Sequence, residues 1–128
     1  MTIQLEYEER VHLARILMDL LDEWGIEPQQ RIVLLGLPDD TRPRALGRYR
    51  SGEPLPENDE LTVRAKHLLD IRSALHAAFP MSEAMAKYWV TTSSPQFDGM
   101  TPLDVMLKEG VGGMDRVRAH LHADDAWR

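Results

Sequence analysis

The sequence predicts an all-α fold, and three observations carry that expectation. Apolar residues recur at steps of three and four, the spacing of one helix face. No segment sustains the apolar–polar alternation of a half-buried strand. Glycine and proline fall between the periodic segments, where helices stop and restart. The pattern divides the chain into about seven helices and leaves no room for a sheet.

The first helix covers residues 8–24, with Leu13, Leu17, Leu20, Leu21 and Trp24 on its apolar face. Gly25 stops it, because a residue without Cβ turns the chain at low cost. A short helix over 28–35 follows, with Pro28 in a first turn that tolerates a missing N–H. Gly36 and Pro38 end it. Asp39, Asp40 or Thr41 can cap a third helix, 43–50, and Pro43 lies in its first turn. The stretch 51–56 is a break. A long helix over 58–78 carries the stripe Leu61, Ala65, Leu68, Ile71, Leu75 and Ala78, and acids at 57, 59 and 60 complement the positive end of its dipole. Pro80 closes it.

The back half is more broken. Ser82 caps a helix running to about Val90, and residues 92–99 form a loop. Thr101-Pro102-Leu103-Asp104 reads as a helix start: threonine at the cap, proline first, and an acid placed to reach back to the cap. That helix ends near Gly110. Gly112-Gly113 then separates it from a last helix, 114–122, whose inner face is Met114, Val117 and Leu121.

A chain of 128 residues makes one domain, or two very small ones sharing a core. Its 43% hydrophobic and 28% charged content argues against general disorder. No apolar run approaches the ~20 residues of a membrane helix, so no membrane role is expected. The N-terminus has neither a basic start nor an apolar stretch, so no signal peptide is expected. With no cysteine there is no disulfide and no thiolate site, which fits a cytoplasmic location.

Charge is distributed unevenly. The net charge is -6, yet residues 28–52 carry five arginines (Arg31, Arg42, Arg44, Arg48, Arg50) against Asp39 and Asp40. Such asymmetry points to a local anionic partner. The two short helices, 28–35 and 43–50, joined by a Gly-Leu-Pro link between longer helices, have the order of a helix-turn-helix. The second would offer Arg42, Arg44, Arg48, Tyr49 and Arg50 to DNA, since guanidinium suits both phosphates and the guanine edge. The same arginines equally suit a solvated face paired with the acidic remainder of the chain.

Nothing in the sequence assembles a catalytic set. Ser93 and Ser94 lack nucleophile-elbow glycines, and the glycines at 110, 112 and 113 precede no Lys-Ser/Thr pair. The five histidines are scattered. His67 and Asp70 share a face, but two groups do not make a metal site, and His120 and His122 point to different sides of a helix. No catalytic residue, metal or cofactor is therefore expected, and the chain reads as a binding protein and not an enzyme. The back half packs many large apolar residues into a short span, from Tyr88 and Trp89 to Met114. Most suit a core against the long helix. Short helices around a loop cannot hide them all, so some apolar surface is expected to meet a partner.

These residues resemble a family. The run 80–121 is similar to the toxin-binding domain of the Xre/MbcA/ParS antitoxins: an Ala-rich stretch ending in Tyr88-Trp89-Val90, a Ser/Pro loop, Phe97-Asp98-Gly99-Met100-Thr101-Pro102-Leu103, and a Val117…Leu121 closing helix. Residues 11–79 resemble the Xre-like helix-turn-helix that precedes this domain, through Leu34-Leu35-Gly36-Leu37-Pro38, Gly47-Arg48-Tyr49-Arg50-Ser51-Gly52 and Leu68-Leu69-Asp70-Ile71. The tail, 123–128, extends beyond the resemblance. The resemblance implies an Xre-like helix-turn-helix bundle over 1–79 followed by a small helical toxin-binding domain over 80–128. It implies an antitoxin whose toxin has the RES fold and attacks NAD⁺ or transfers ADP-ribose. The back domain would block the toxin's active site through Trp89, Phe97, Gly99, Met100, Thr101, Pro102 and Leu103. The front domain would bind operator DNA as a homodimer and repress its own operon. A helical adaptor, or a transcriptional regulator without a toxin partner, is the alternative.

Overall fold

The fold is a computed structural model that describes residues 5–123, and of Glu83 the backbone alone. Seven α-helices follow one another: α1 (Tyr7–Glu23), α2 (Pro28–Leu35), α3 (Leu46–Arg50), α4 (Asp59–Ala78), α5 (Glu83–Thr91), α6 (Pro102–Glu109) and α7 (Val111–Ala123). Two 3₁₀ turns, Pro43–Ala45 and Pro95–Phe97, lead toward α3 and α6. No strand occurs among the described residues, so the fold is all-α as expected.

Local chemistry explains the ends. At the start of α1, Glu6 and Glu9 form a reciprocal capping box, with the Glu6 amide donating to Glu9 Oε1 at 2.9 Å. Asn58 caps α4 by accepting from the Leu61 amide at 3.0 Å. The end of α2 is closed from outside itself. Arg64, on α4, donates to the Val33 and Leu34 carbonyls at 3.2 and 3.1 Å, supplying partners that a helix C-terminus lacks. The chain then turns at Gly36 with φ +70°, and a Cβ there would sit 2.8 Å from Arg64 Nε.

The long helix α4 organises the molecule. Its buried stripe of Leu61, Ala65, Leu68, Ile71 and Leu75 matches the sequence pattern except at Ala78, which is half-buried at the end of the helix. It packs against α1 and α2 and also against α5 and α7. One continuous cluster results, from Ala14 on α1 to Leu121 on α7, with Trp24 wholly buried inside it. Each fully buried Leu or Ile contributes on the order of 1.5–3 kcal/mol of transfer free energy, so the shared stripe joins both halves of the chain.

Three local expectations need correction. Gly112-Gly113 does not separate two helices: α7 begins at Val111 and both glycines lie in its first turn. The reason is packing, because a Cβ on Gly113 would lie 2.4 Å from the Val105 carbonyl oxygen of α6. The break between α6 and α7 is Gly110 alone, at φ +65°. Asp104 does not reach back to its cap. Thr101 accepts from the Asp104 amide at 2.9 Å, and the aspartate, one methylene shorter than the glutamate of a capping box, leaves the second bond unmade. The third helix is also tighter at its start than an α-helix, since Pro43–Ala45 is a 3₁₀ turn.

Candidate functional site

The front surface is built on α3. Leu46 and Tyr49, three apart, point inward and are buried, at 6% and 7% exposure. The remaining positions therefore face out: Arg44, Gly47 and Arg48 are exposed, as are Arg42 and Pro43 before them. Among the described residues Arg42 and Arg44 have no hydrogen-bond or ion-pair partner, and Arg48 has only Glu53 at 3.9 Å. Arg15, also exposed, reaches toward Gly52 from α1 and adds a cation near the C-terminal end of α3.

The other two arginines of the basic segment are structural. Asp22 on α1 accepts from Arg50 and pairs with Arg31 at 2.8 Å, while Arg31 Nε donates to the Ile26 carbonyl at 2.8 Å. The Arg50 guanidinium above all, with Arg31 beside it, holds the Asp22 carboxyl below the usual carboxylate range, although partial burial pushes the other way. Tyr49 supports α3 from beneath, and burial pushes its hydroxyl above the ordinary tyrosine value. Of the five residues expected to face DNA, the structure thus turns Arg42, Arg44 and Arg48 outward, ties Arg50 to α1 and buries Tyr49.

A shallow groove lies between α1, α4 and α5, lined by Asp19, Asp22, Glu23, Arg72, Ala84 and Lys87. Its inner acids are already engaged. Glu23 takes Arg72 at 3.0 Å and His76 at 2.7 Å, so this is an ion-pair seam that fastens α4 to α1. No group of three or more potential metal ligands gathers among the described residues.

The back surface begins with a fixed turn. The Ser94 amide donates to the Met100 carbonyl at 3.1 Å, Gly99 to Ser94 at 3.0 Å and Met100 to Phe97 at 2.9 Å. Asp98 and Gly99 both take left-handed conformations, at φ +56° and +83°, which the tight reversal requires. Phe97 anchors the turn in the core at 2% exposure. Trp89 meets its ring edge-on at 6.4 Å, His120 at 5.3 Å, and the Arg116 guanidinium lies 5.4 Å from its centroid. Thr101 then caps α6, with Pro102 and Leu103 buried beneath.

Of the expected partner-facing residues, Phe97, Pro102 and Leu103 therefore face inward. Trp89, Met100 and Thr101 are half-buried, and Gly99 is exposed. The exposed apolar side chains lie one element earlier. Met85 and Tyr88, three apart, share an outer face of α5 at 38% and 60% exposure, and Met81, in the turn before the Ser82 cap, is 94% exposed. Sequence reading missed Met81 and Met85, although the helical spacing of Met85 with Tyr88 is visible.

Residues 74–126 match the antitoxin Xre/MbcA/ParS C-terminal toxin-binding domain. Over 104 residues the chain is also 33% identical to an uncharacterized protein, y4oB, of Sinorhizobium fredii, an overlap of 81% of this chain and 77% of that one. The chain belongs to the Xre/MbcA/ParS antitoxin family. It is an antitoxin with a C-terminal toxin-binding domain. In this antitoxin the domain match starts inside α4 at residue 74 and includes α5, the Phe97 turn, α6 and α7. It runs on to 126 and so takes in part of the tail that the resemblance had left out. Residues 124–128 of that tail lie outside the described residues. No helix among the described residues is long and apolar enough to cross a membrane.

Proposed function

We propose that this antitoxin neutralises a RES-type toxin, one that consumes NAD⁺ or transfers ADP-ribose, by lying over the toxin's active site. Masking of this kind needs no chemistry from the antitoxin, only a rigid platform and an adhesive face, and any catalysis belongs to the toxin. The observation that carries the reading is the outer face of Met85 and Tyr88, with exposed Met81 in the turn before it, apolar surface inside the matched toxin-binding domain. Exposed apolar clusters mark interaction sites, methionine adapts to the partner's shape, and tyrosine is a frequent anchor. The Phe97 turn and the Thr101-capped α6 would keep that face still and add Gly99, Met100 and half-buried Trp89 at its side. The experiment is to purify the antitoxin with the product of the adjoining gene and follow NAD⁺ loss. Met85→Asp with Tyr88→Asp should weaken inhibition at least roughly tenfold, the scale of losing an interface anchor, with no fall in melting temperature. Wild-type inhibition by that double variant would remove this surface from the interface.

The front half, 1–79, is proposed to bind operator DNA as a homodimer and repress the operon, with the division of labour near residue 80. What supports it is the outward set of Arg42 and Arg44, unpaired among the described residues at the 3₁₀ turn, and Arg48 on α3, paired only with Glu53 at 3.9 Å, with Arg15 nearby. Two copies of α3 would enter successive major grooves about 34 Å apart. Removing one arginine–phosphate pair should flatten the salt dependence of log affinity by about 0.9. Arg44→Ala with Arg48→Ala should therefore weaken promoter binding and reduce that slope by roughly two. Promoter affinity unchanged by the pair would refute the assignment. Salt-sensitive protein binding without promoter binding would instead favour the adaptor reading.

A further inference from the structure

Gly47 is a glycine the fold does not require. It lies inside α3 with a negative φ, where glycine is less stable than alanine because it loses more backbone freedom on folding. Among the described residues, a Cβ built on it would meet nothing within 4 Å. The contrast with the other glycines is sharp. Of the eight, five hold positive φ and Gly113 lies under the Val105 carbonyl. Gly112 shares the open surroundings but sits in the first turn of α7, away from the basic helix. Only Gly47 combines an open, unforced site with charge, because it stands beside Arg48 on α3 and three residues after Arg44, all of them exposed.

We infer that Gly47 is the point of closest approach between α3 and DNA, and that its missing side chain sets how deeply the helix seats in the groove. This rests on the DNA-binding reading above. Arg44, in the 3₁₀ turn, and Arg48 are four apart and share a face, and Gly47, three from Arg44, lies beside that pair on the exposed side. With no Cβ beside them, the backbone of α3 can lie against a base edge or sugar while the two guanidinium groups reach past it to guanine or phosphate. Any side chain at 47 would hold α3 away from the groove and lengthen both arginine contacts together. The other exposed residue of this short helix, Arg50, is already tied to Asp22.

The test compares the full chain with Gly47→Ala and Gly47→Gln. Thermal unfolding and binding to a duplex of the chain's own promoter are measured together. Alanine should raise the melting temperature by about 2–4 °C, because the helix gains and nothing clashes. It should lower promoter affinity roughly tenfold, the cost of one impaired base contact. Glutamine should lower affinity further, and both variants should still hold the toxin. Wild-type promoter affinity in both variants would overturn the inference and leave DNA binding by the arginines standing. Affinity lost together with a lower melting temperature would overturn it too, since the glycine would then be structural. No promoter binding by the wild-type chain at low salt would remove the DNA reading and this inference with it.

Discussion

Adjacent glycines in α7 should respond to alanine with opposite signs. At Gly113 the new methyl group would lie 2.4 Å from the Val105 carbonyl oxygen and 2.9 Å from Glu109 Cβ. Close carbon–oxygen contacts in proteins lie near 3.3–3.6 Å, so α7 must move away from α6 by roughly 0.9 Å or more. The obstacle is backbone and cannot rotate aside. Overpacking costs about 1–3 kcal/mol, and a contact this close to backbone belongs at about 2–3; the helix-forming gain of alanine returns about 0.5–1 kcal/mol, which leaves Gly113→Ala about 1–2.5 kcal/mol less stable. At Gly112 a Cβ meets nothing within 4 Å among the described residues. Only the gain remains there, so Gly112→Ala should be more stable by about 0.4–1 kcal/mol. The two variants should then differ by about 1.5–3.5 kcal/mol, or roughly 6–14 °C in melting temperature for a domain of this size. Thermal and urea unfolding followed by circular dichroism measure both. Gly113→Ala as stable as the wild type would refute the proposed clash with α6. Equal shifts in both variants would show that helix propensity alone governs the site.

Thr101→Ala should cost about 1 kcal/mol in urea unfolding, since it removes the oxygen that takes the Asp104 amide, and Thr101→Ser should restore most of it. The depressed Asp22 carboxyl makes stability depend on pH with a definite sign. The folded state binds the proton less readily than the unfolded chain, so the contribution is present above an unfolded value of about 3.9 and is lost as pH falls through the lower folded value. Asp22→Asn should therefore be less stable than the wild type at neutral pH and should lose less on acidification through that window. Parallel melting curves against pH for the two proteins would contradict the role assigned to Arg50 and Arg31.

The helical order was legible because it depends on local signals. Spacing placed the stripe of α4, and the Thr101-Pro102 pair placed the start of α6. Glycine misled at 112–113, where its purpose is set through space: only the position of the Val105 carbonyl distinguishes a packing glycine from a breaker. The same limit governs the surfaces. Charge marked a basic segment, but nothing local separates Arg50, tied to Asp22 on a distant helix, from Arg44, which is free. Arg15 was missed because it joins α3 only through the fold. In the back half, the motif that stands out in sequence, Phe97 to Leu103, stands out because it makes a turn and a cap, and three of its residues are buried to do so. The exposed face lies on α5, where Tyr88 belongs to the Tyr88-Trp89-Val90 piece of the resemblance but Met85 belongs to no motif.

The central claim is that this chain silences a toxin by covering its active site. The most direct measurement titrates the purified antitoxin into the adjoining gene's product while NAD⁺ loss is followed. The account predicts activity falling to zero at a fixed stoichiometry, with Met85→Asp plus Tyr88→Asp needing a large excess to do the same. NAD⁺ consumption that continues unchanged under saturating wild-type antitoxin would contradict it.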